Sequence, residues 1–304
     1  MTRNVRMFRS SPGILVESIW WDARTEEVVW VDIVAGLLHR GRLDGAADGS
    51  EDRVIRLPPP LSAVQPAAGP GPEGGYVVAL EDSVALLDAD GELVREVARL
   101  RHRRSGMRLN EGKVDPFGRF VVGGLSVIGD TPDADLWSVS ADGDVTVLRG
   151  GFGITNGIEW SDDGRTMYVT DTSTSTIYRG SYGPGGLLGE LEPFVTGRPS
   201  DGLALAEDGT FWNGLYGEGV VARWSPNGDL LEEVAIPVPN VTSVAFAGPD
   251  LEVVLVGTAR ENLTEEQLRA APDSGAIYIF DGGVRGRPVH AFGTTTNTGR
   301  PDTE

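Results

Sequence analysis

The chain has 304 residues, a formal net charge of −19, a single lysine (Lys113) and no cysteine. An acidic surface repels polyanions, which argues against a nucleic-acid partner. The lack of cysteine excludes disulfides, zinc–thiolate centres and a thiol nucleophile. The 42 glycines and 19 prolines are spread along the chain, which suits short strands joined by turns and leaves little room for long helices.

The first residues, Met1 to Ser10, hold no apolar core of signal-peptide length, and no long uninterrupted apolar run follows. The expectation is a cytoplasmic protein with no membrane partner, a monomer or small homo-oligomer. Residues 1–304 read as one domain, with a flexible tail over about 293–304. Asn240-Val-Thr and Asn262-Leu-Thr match the glycosylation sequon and are taken as chance matches.

In chain order, one unit of turn, alternating strand, turn and strand recurs about six times. The first copy is Trp20 to Asp32 with Gly36 to Gly41. The second is Gly71 to Asp82 with Val84 to Leu93. The third is Val114 to Gly124 with Ala134 to Gly143. The fourth, Ile154 to Asp171 with Thr176 to Gly180, is the clearest, carrying Asn156-Gly157 and then the turn Ser161-Asp162-Asp163-Gly164. The fifth is Ala206 to Leu215 with Val220 to Gly228, and the sixth is Ala247 to Val256 with Gly275 to Gly283. Copies begin about 42–51 residues apart, the spacing of propeller repeats. A four-stranded blade exposes both faces, so six copies must stack radially, giving an all-β, six-bladed β-propeller around a central channel. A β-sandwich explains the strands but not the spacing. Thr264 to Pro272 reads as a short helix inserted in the last blade, with Thr264 and Gln267 at capping-box spacing. Asp88-Ala-Asp-Gly91 lacks the spacing of a calcium loop and reads as a turn.

The first strand of each blade lines a propeller's channel, so residues at one phase of the repeat converge. About five to six positions upstream of each turn stand Glu17, Asn110, Asn156 and Asp201. Blades two and six offer small or hydroxylated residues, near Ala67 and near Thr242-Ser243. Burying isolated groups of this kind costs several kcal/mol unless they are hydrogen-bonded or bind a cation. Taken singly, each could be an ordinary turn or Asx residue. Four at one phase point to an all-oxygen site for a hard divalent cation. A serine–histidine hydrolase is disfavoured: His39, His102 and His290 lie outside this phase, and Gly-x-Ser-x-Gly is absent. The arginine-rich run Arg99 to Arg108 reads as a solvated loop, except for Arg108.

These segments resemble the gluconolactonase/regucalcin (senescence marker protein) family of six-bladed propellers. The resemblance is carried by Glu17 with Trp30-Val-Asp-Ile33, by Arg108-Leu-Asn-Glu-Gly-Lys-Val-Asp-Pro-Phe-Gly-Arg119, and by Asn156 to Asp171. Ser200-Asp-Gly202 and Thr242 to Gly248 complete it. It implies that Glu17, Asn156 and Asp201 hold a divalent metal, Ca²⁺ first, with Zn²⁺, Mg²⁺ or Mn²⁺ as alternatives. It implies that Arg108, Asn110 and Glu111 contact substrate. Three departures stand out: Glu17-Ser-Ile replaces Glu-Gly-Pro, Asn110-Glu111 replaces Asn-Asp, and the acidic residue of the loop Leu125 to Asp130 is not apparent.

The resulting expectation is a metal-dependent lactonase acting on a sugar-derived or related small lactone. The cation would stabilise the oxyanion and Asp201 would orient or deprotonate water. Two rivals remain at this level. One is a hydrolase or tailoring enzyme for another ester or a phosphotriester; the other is a non-catalytic calcium- or ligand-binding propeller.

Overall fold

Glycine and Asx residues end strands where the sequence places them. In the turn Ser161 to Gly164, the Gly164 amide donates to Ser161 O at 2.9 Å. Gly164 has φ +65°, a left-handed conformation that glycine adopts without a Cβ clash. Repeated along a computed structural model that describes residues 3–10, 12–69, 74–129 and 131–294, this punctuation yields six four-stranded antiparallel sheets.

The first strand of the chain is β1 (Arg6–Arg9). Blade one is β2 (Val16–Asp22), β3 (Glu27–Asp32), β4 (Leu37–Arg42) and β5 (Arg53–Arg56). Blade two is β6 (Ala63–Ala67), β7 (Gly75–Ala79), β8 (Ser83–Leu87) and β9 (Leu93–Arg99). Blade three is β10 (Met107–Val114), β11 (Phe120–Ser126), β12 (Ala134–Val139) and β13 (Val145–Phe152). Blade four is β14 (Thr155–Trp160), β15 (Thr166–Asp171), β16 (Thr176–Ser181) and β17 (Glu192–Thr196). Blade five is β18 (Ser200–Leu205), β19 (Phe211–Leu215), β20 (Val220–Trp224) and β21 (Leu230–Ala235). Blade six joins β22 (Val241–Ala247), β23 (Val253–Thr258) and β24 (Ile277–Asp281) to β1.

The architecture is the expected six-bladed propeller. The first strands, β2, β6, β10, β14, β18 and β22, pack on one another in a closed ring. Six apolar clusters fill the wedges between adjacent blades. Trp20, Leu38, Leu61 and Tyr76 join blades one and two, for example, while Met107, Leu136, Trp160 and Met167 join three and four. Each sheet thus buries both faces against its neighbours, which is why one blade could not stand alone.

The strand β1, which lies outside the six sequence repeats, closes the ring by pairing with β24 as the outer strand of blade six. Phe8 packs edge-on to Trp30 of blade one, and the buried Arg9 guanidinium bonds Asp52 at 2.7 Å. The short helix α1 (Glu265–Ala270) lies between β23 and β24, with the reciprocal capping box of Thr264 and Gln267. Asp88 to Gly91 is a turn, its Asp88 Oδ1 accepting from the amides of Asp90 and Glu92. Phe292 bridges Ala67, and the Gly293 amide donates to Gly118 O. Residues 295–304 of the expected tail, Gly71 to Glu73 of the second unit, and Asp130 lie outside the described residues.

One irregularity recurs at one height. The inner-strand register breaks between Glu17 and Trp20 in β2, and between Leu109 and Gly112 in β10. It breaks again between Asn156 and Ile158 in β14, between Ser200 and Leu203 in β18, and between Val241 and Val244 in β22. An extra residue in one strand bends it and re-aims its side chains. Blade two alone stays regular, from Ala63 to Ala67. Its equivalent position is therefore at the start of β6, near Ser62 and Ala63, not near Ala67 at the opposite end. The Ser62 hydroxyl donates to Leu109 O, beside Asn110.

Candidate metal and substrate site

Every polar residue singled out in the channel phase sits at one of these breaks. Glu17, Asn110, Asn156 and Asp201 are 7%, 7%, 5% and 4% exposed, so all four are carried into the interior. Two aspartates fix the approach to the strands that bear them. Asp32, at the end of β3, accepts from the amides of Ile14 and Leu15 just before β2. Asp171, at the end of β15, accepts from those of Gly153 and Ile154 just before β14. The Trp-Val-Asp and Tyr-Val-Thr-Asp strands thus anchor the site and do not line it.

The amides form a directed chain. Arg108 Nη1 donates to Asn110 Oδ1 at 2.7 Å, and Asn110 Nδ2 donates to Asn156 Oδ1 at 2.7 Å and to Thr155 O at 2.9 Å. Asn156 Nδ2 donates to Thr172 Oγ1 at 2.8 Å. Arg108 makes no ion pair among the described residues. Burial lowers its pKa, with Glu261 and Glu17 acting the other way through their charge. A cation held without a carboxylate partner is available to an external acceptor.

The carboxylates contrast with the amides. Glu17 Oε2 and Asp201 Oδ1 are buried and have no hydrogen-bond partner among the described residues. Burial pushes the Glu17 carboxyl well above the usual range, with repulsion from Asp201 and then Glu111 adding to it. Asp201 is raised by burial and then by Glu111. Glu111 is pushed up to about 7, chiefly by burial and against the attraction of Lys113. Three carboxyls that resist ionising together mark a place for positive charge. Among the described residues no three Asp, Glu or His side chains form a cation cage by themselves. The two carboxylates with the Asn156 carbonyl oxygen make a sparse, all-oxygen donor set, which fits a hard divalent ion that keeps other positions open.

Glu111 lines a small cavity of about 20 Å³ on the axis, with Ser18, Gln65, Lys113, Gly202 and Ser243. Beyond it, Lys113 pairs with Glu159. Trp20, Trp160, Phe246 and His290 then border a chamber of about 530 Å³ at the other end of the inner strands. The long third-blade motif therefore splits: Arg108, Asn110 and Glu111 face the site, whereas Asp115 is wholly buried in structure. Asp115 accepts from the Phe117 and Arg119 amides, the Arg119 guanidinium and the Tyr182 hydroxyl.

Other rim residues carry no repeat signal in the sequence. The Tyr216 hydroxyl accepts from Asn240 and Asn262 at 3.1 Å each and donates to Glu261 O. Burial raises its pKa to about 12, and the charges of Glu261, Asp201 and Glu17 reach it. The two sequon asparagines thus serve this rim. Of the arginine run, Arg99 pairs with Asp82, Arg103 with Asp135 and Arg104 with Asp133. His39 stacks on Trp30, and His102 sits edge-on to Trp137 with Nε2 at 3.1 Å from Glu81 O.

Fold and site together define a six-bladed propeller with a buried acidic centre where the inner strands begin. Residues 15–260 match the SMP-30/gluconolactonase/LRE-like region, and the chain belongs to that family. A 6-deoxy-6-sulfogluconolactonase from Pseudomonas putida is 34% identical, the match covering 91% of this chain and 94% of that one. A pentonolactonase from Haloferax volcanii is 30% identical over 88% and 91% of the two chains. The crystal structure of a calcium-binding protein, regucalcin, from Agrobacterium tumefaciens superposes with a TM-score of 0.87 at 29% identity, covering 97% and 99%. No helix among the described residues is long and apolar enough to cross a membrane.

Proposed function

We propose that the chain is a divalent-metal-dependent lactonase for small polyhydroxylated lactones. The observation that carries this reading is the pair of buried oxygens, Glu17 Oε2 and Asp201 Oδ1, that have no hydrogen-bond partner among the described residues, with the charge of Arg108, which makes no ion pair among them, reaching Glu17. The lactonase relatives named above support it, and the calcium-binding regucalcin supports Ca²⁺ as the ion.

Glu17, Asn156 and Asp201 would hold the ion, which when bound supplies Lewis acidity toward the lactone carbonyl. Arg108 binds the substrate's hydroxyl or carboxylate oxygens through charge-assisted hydrogen bonds, and Asn110 Oδ1, with both Nδ2 protons already donated, accepts from a substrate hydroxyl. Asp201 orients the attacking water and takes its proton at a carboxylate oxygen. The water oxygen bonds to the carbonyl carbon, the ring C–O bond breaks, and the proton passes to the ring oxygen, giving the open hydroxy acid.

Hydrolysis of aldonolactones, followed by acid release, tests this. Full chelation should abolish turnover and Ca²⁺ should restore it. Asp201→Asn should lower kcat by about 10²–10⁴-fold. Turnover that survives chelation, or an Asp201→Asn enzyme with normal kcat, would defeat the scheme. Metal binding without hydrolysis of any lactone or ester would favour the binding-only reading.

A further inference from the structure

Thr172 opens a single 3-10 turn directly after β15. Its hydroxyl has one proton, which it donates to Ser200 O at 2.6 Å. A backbone carbonyl can only accept, so that direction is fixed. The hydroxyl must then receive its second bond, and the group at 2.8 Å is the Asn156 carboxamide. Asn156 is thereby forced to turn its NH₂ toward Thr172 and its carbonyl oxygen the other way. The same logic closes the other end. Thr155 O can only accept, so Asn110 presents its NH₂ there and to Asn156, leaving Asn110 Oδ1 for Arg108. Two carbonyls thus set the polarity of the whole run, Arg108 to Asn110 to Asn156 to Thr172 to Ser200. The run ends one residue before Asp201.

We propose that Thr172 is a positioning residue that makes Asn156 an oxygen ligand and ties its orientation to the strand bearing Asp201. This rests on the reading that Asn156, Glu17 and Asp201 hold a divalent cation. Without the Thr172 hydroxyl, the Asn156 NH₂ loses its acceptor and only the Asn110 NH₂ holds the carbonyl oxygen in place; the amide is then free to swing, and an NH₂ turned to the site repels a cation. Thr172 is half-buried and its hydroxyl bonds Asn156 and Ser200 O, so its effect on the cation passes through Asn156.

The test is calorimetric titration of Ca²⁺ into metal-free wild type, Thr172→Val and Thr172→Ser, with the metal-free melting temperature as a check on folding. Valine keeps the shape and removes the hydroxyl; serine keeps the hydroxyl. Thr172→Val should weaken Ca²⁺ binding about 10–100-fold, the usual effect of losing a group that orients a ligand. Thr172→Ser should stay within about threefold of wild type on the same scale. If Thr172→Val binds as wild type does, or Thr172→Ser is as weak as Thr172→Val, the hydroxyl does not orient the ligand and the proposal falls alone. If wild type itself binds no Ca²⁺, the metal reading falls and this one with it. Should Thr172→Val fail to fold, Asn156→Asp in the wild-type background replaces it. An aspartate offers oxygen whichever way it turns, so Asn156→Asp/Thr172→Ala should bind Ca²⁺ no more weakly than Asn156→Asp, and a further loss would count against the proposal.

Discussion

Ser18, next to Glu17, has φ +51°, in the left-handed region that glycine tolerates best. It stands where the family pattern carries Gly, and its Oγ both donates to Val64 O and accepts from Val64 N, each at 3.0 Å. The hydroxyl thus offsets strain by stitching blade one to blade two. Ser18→Ala keeps the strain and orphans a buried amide, so it should cost about 1–3 kcal/mol. Ser18→Gly relieves about 1 kcal/mol of left-handed cost and should lose less. Thermal melts of the two variants check the order; a glycine variant weaker than the alanine one would contradict it. Glu17, Asn110, Asn156 and Asp201 were legible because one phase of a repeat singles them out. Thr172 and Tyr216 were not, because their roles depend on hydrogen bonds between loops of different blades, which no local spacing encodes.

Strands and turns were legible for a local reason: Asp-Gly and Asn-Gly turns punctuate runs of alternating burial. The register breaks were not, since a bulge depends on the partner strand. Nor was β1, whose four residues carry no turn signal and whose partner lies at the far end of the chain. Asp171 shows how an element end governs the site. Its carboxylate accepts from the amides of Gly153, Ile154 and Ser173 and from the Ser173 hydroxyl, at 2.7–3.1 Å. Asp171→Ala should therefore cost about 3 kcal/mol or more, since several donors lose their partner at once. It should also weaken Ca²⁺ binding through Asn156, the second residue of β14. Denaturant unfolding together with metal titration checks both; a variant as stable as wild type would show that water replaces the carboxylate.

Across the whole molecule, a charge of −19 and an axial set of carboxyls with raised pKa values make stability depend on proton and cation. The folded, metal-free protein keeps protons on Glu17, Asp201 and Glu111 that the unfolded chain releases. For Glu111 the window runs from the ordinary 4.5 to about 7. Within it the native state binds more protons, so this contribution is full below the window and is lost as pH rises through it. The melting temperature of chelated protein should fall between pH 5 and pH 7.5, and saturating Ca²⁺ should flatten the fall by stabilising the ionised carboxylates. A chelated protein that gains stability over that range would contradict the assignment.

On the proposed reading, closure of the ring brings Glu17, Asn156 and Asp201 to one cation. An anomalous difference map from crystals grown with Mn²⁺ addresses it most directly. One strong peak is expected within bonding distance of Glu17 Oε2, Asn156 Oδ1 and Asp201 Oδ1. A map whose only peaks lie elsewhere, with Glu17 Oε2 and Asp201 Oδ1 still without a partner under saturating Mn²⁺, would contradict it.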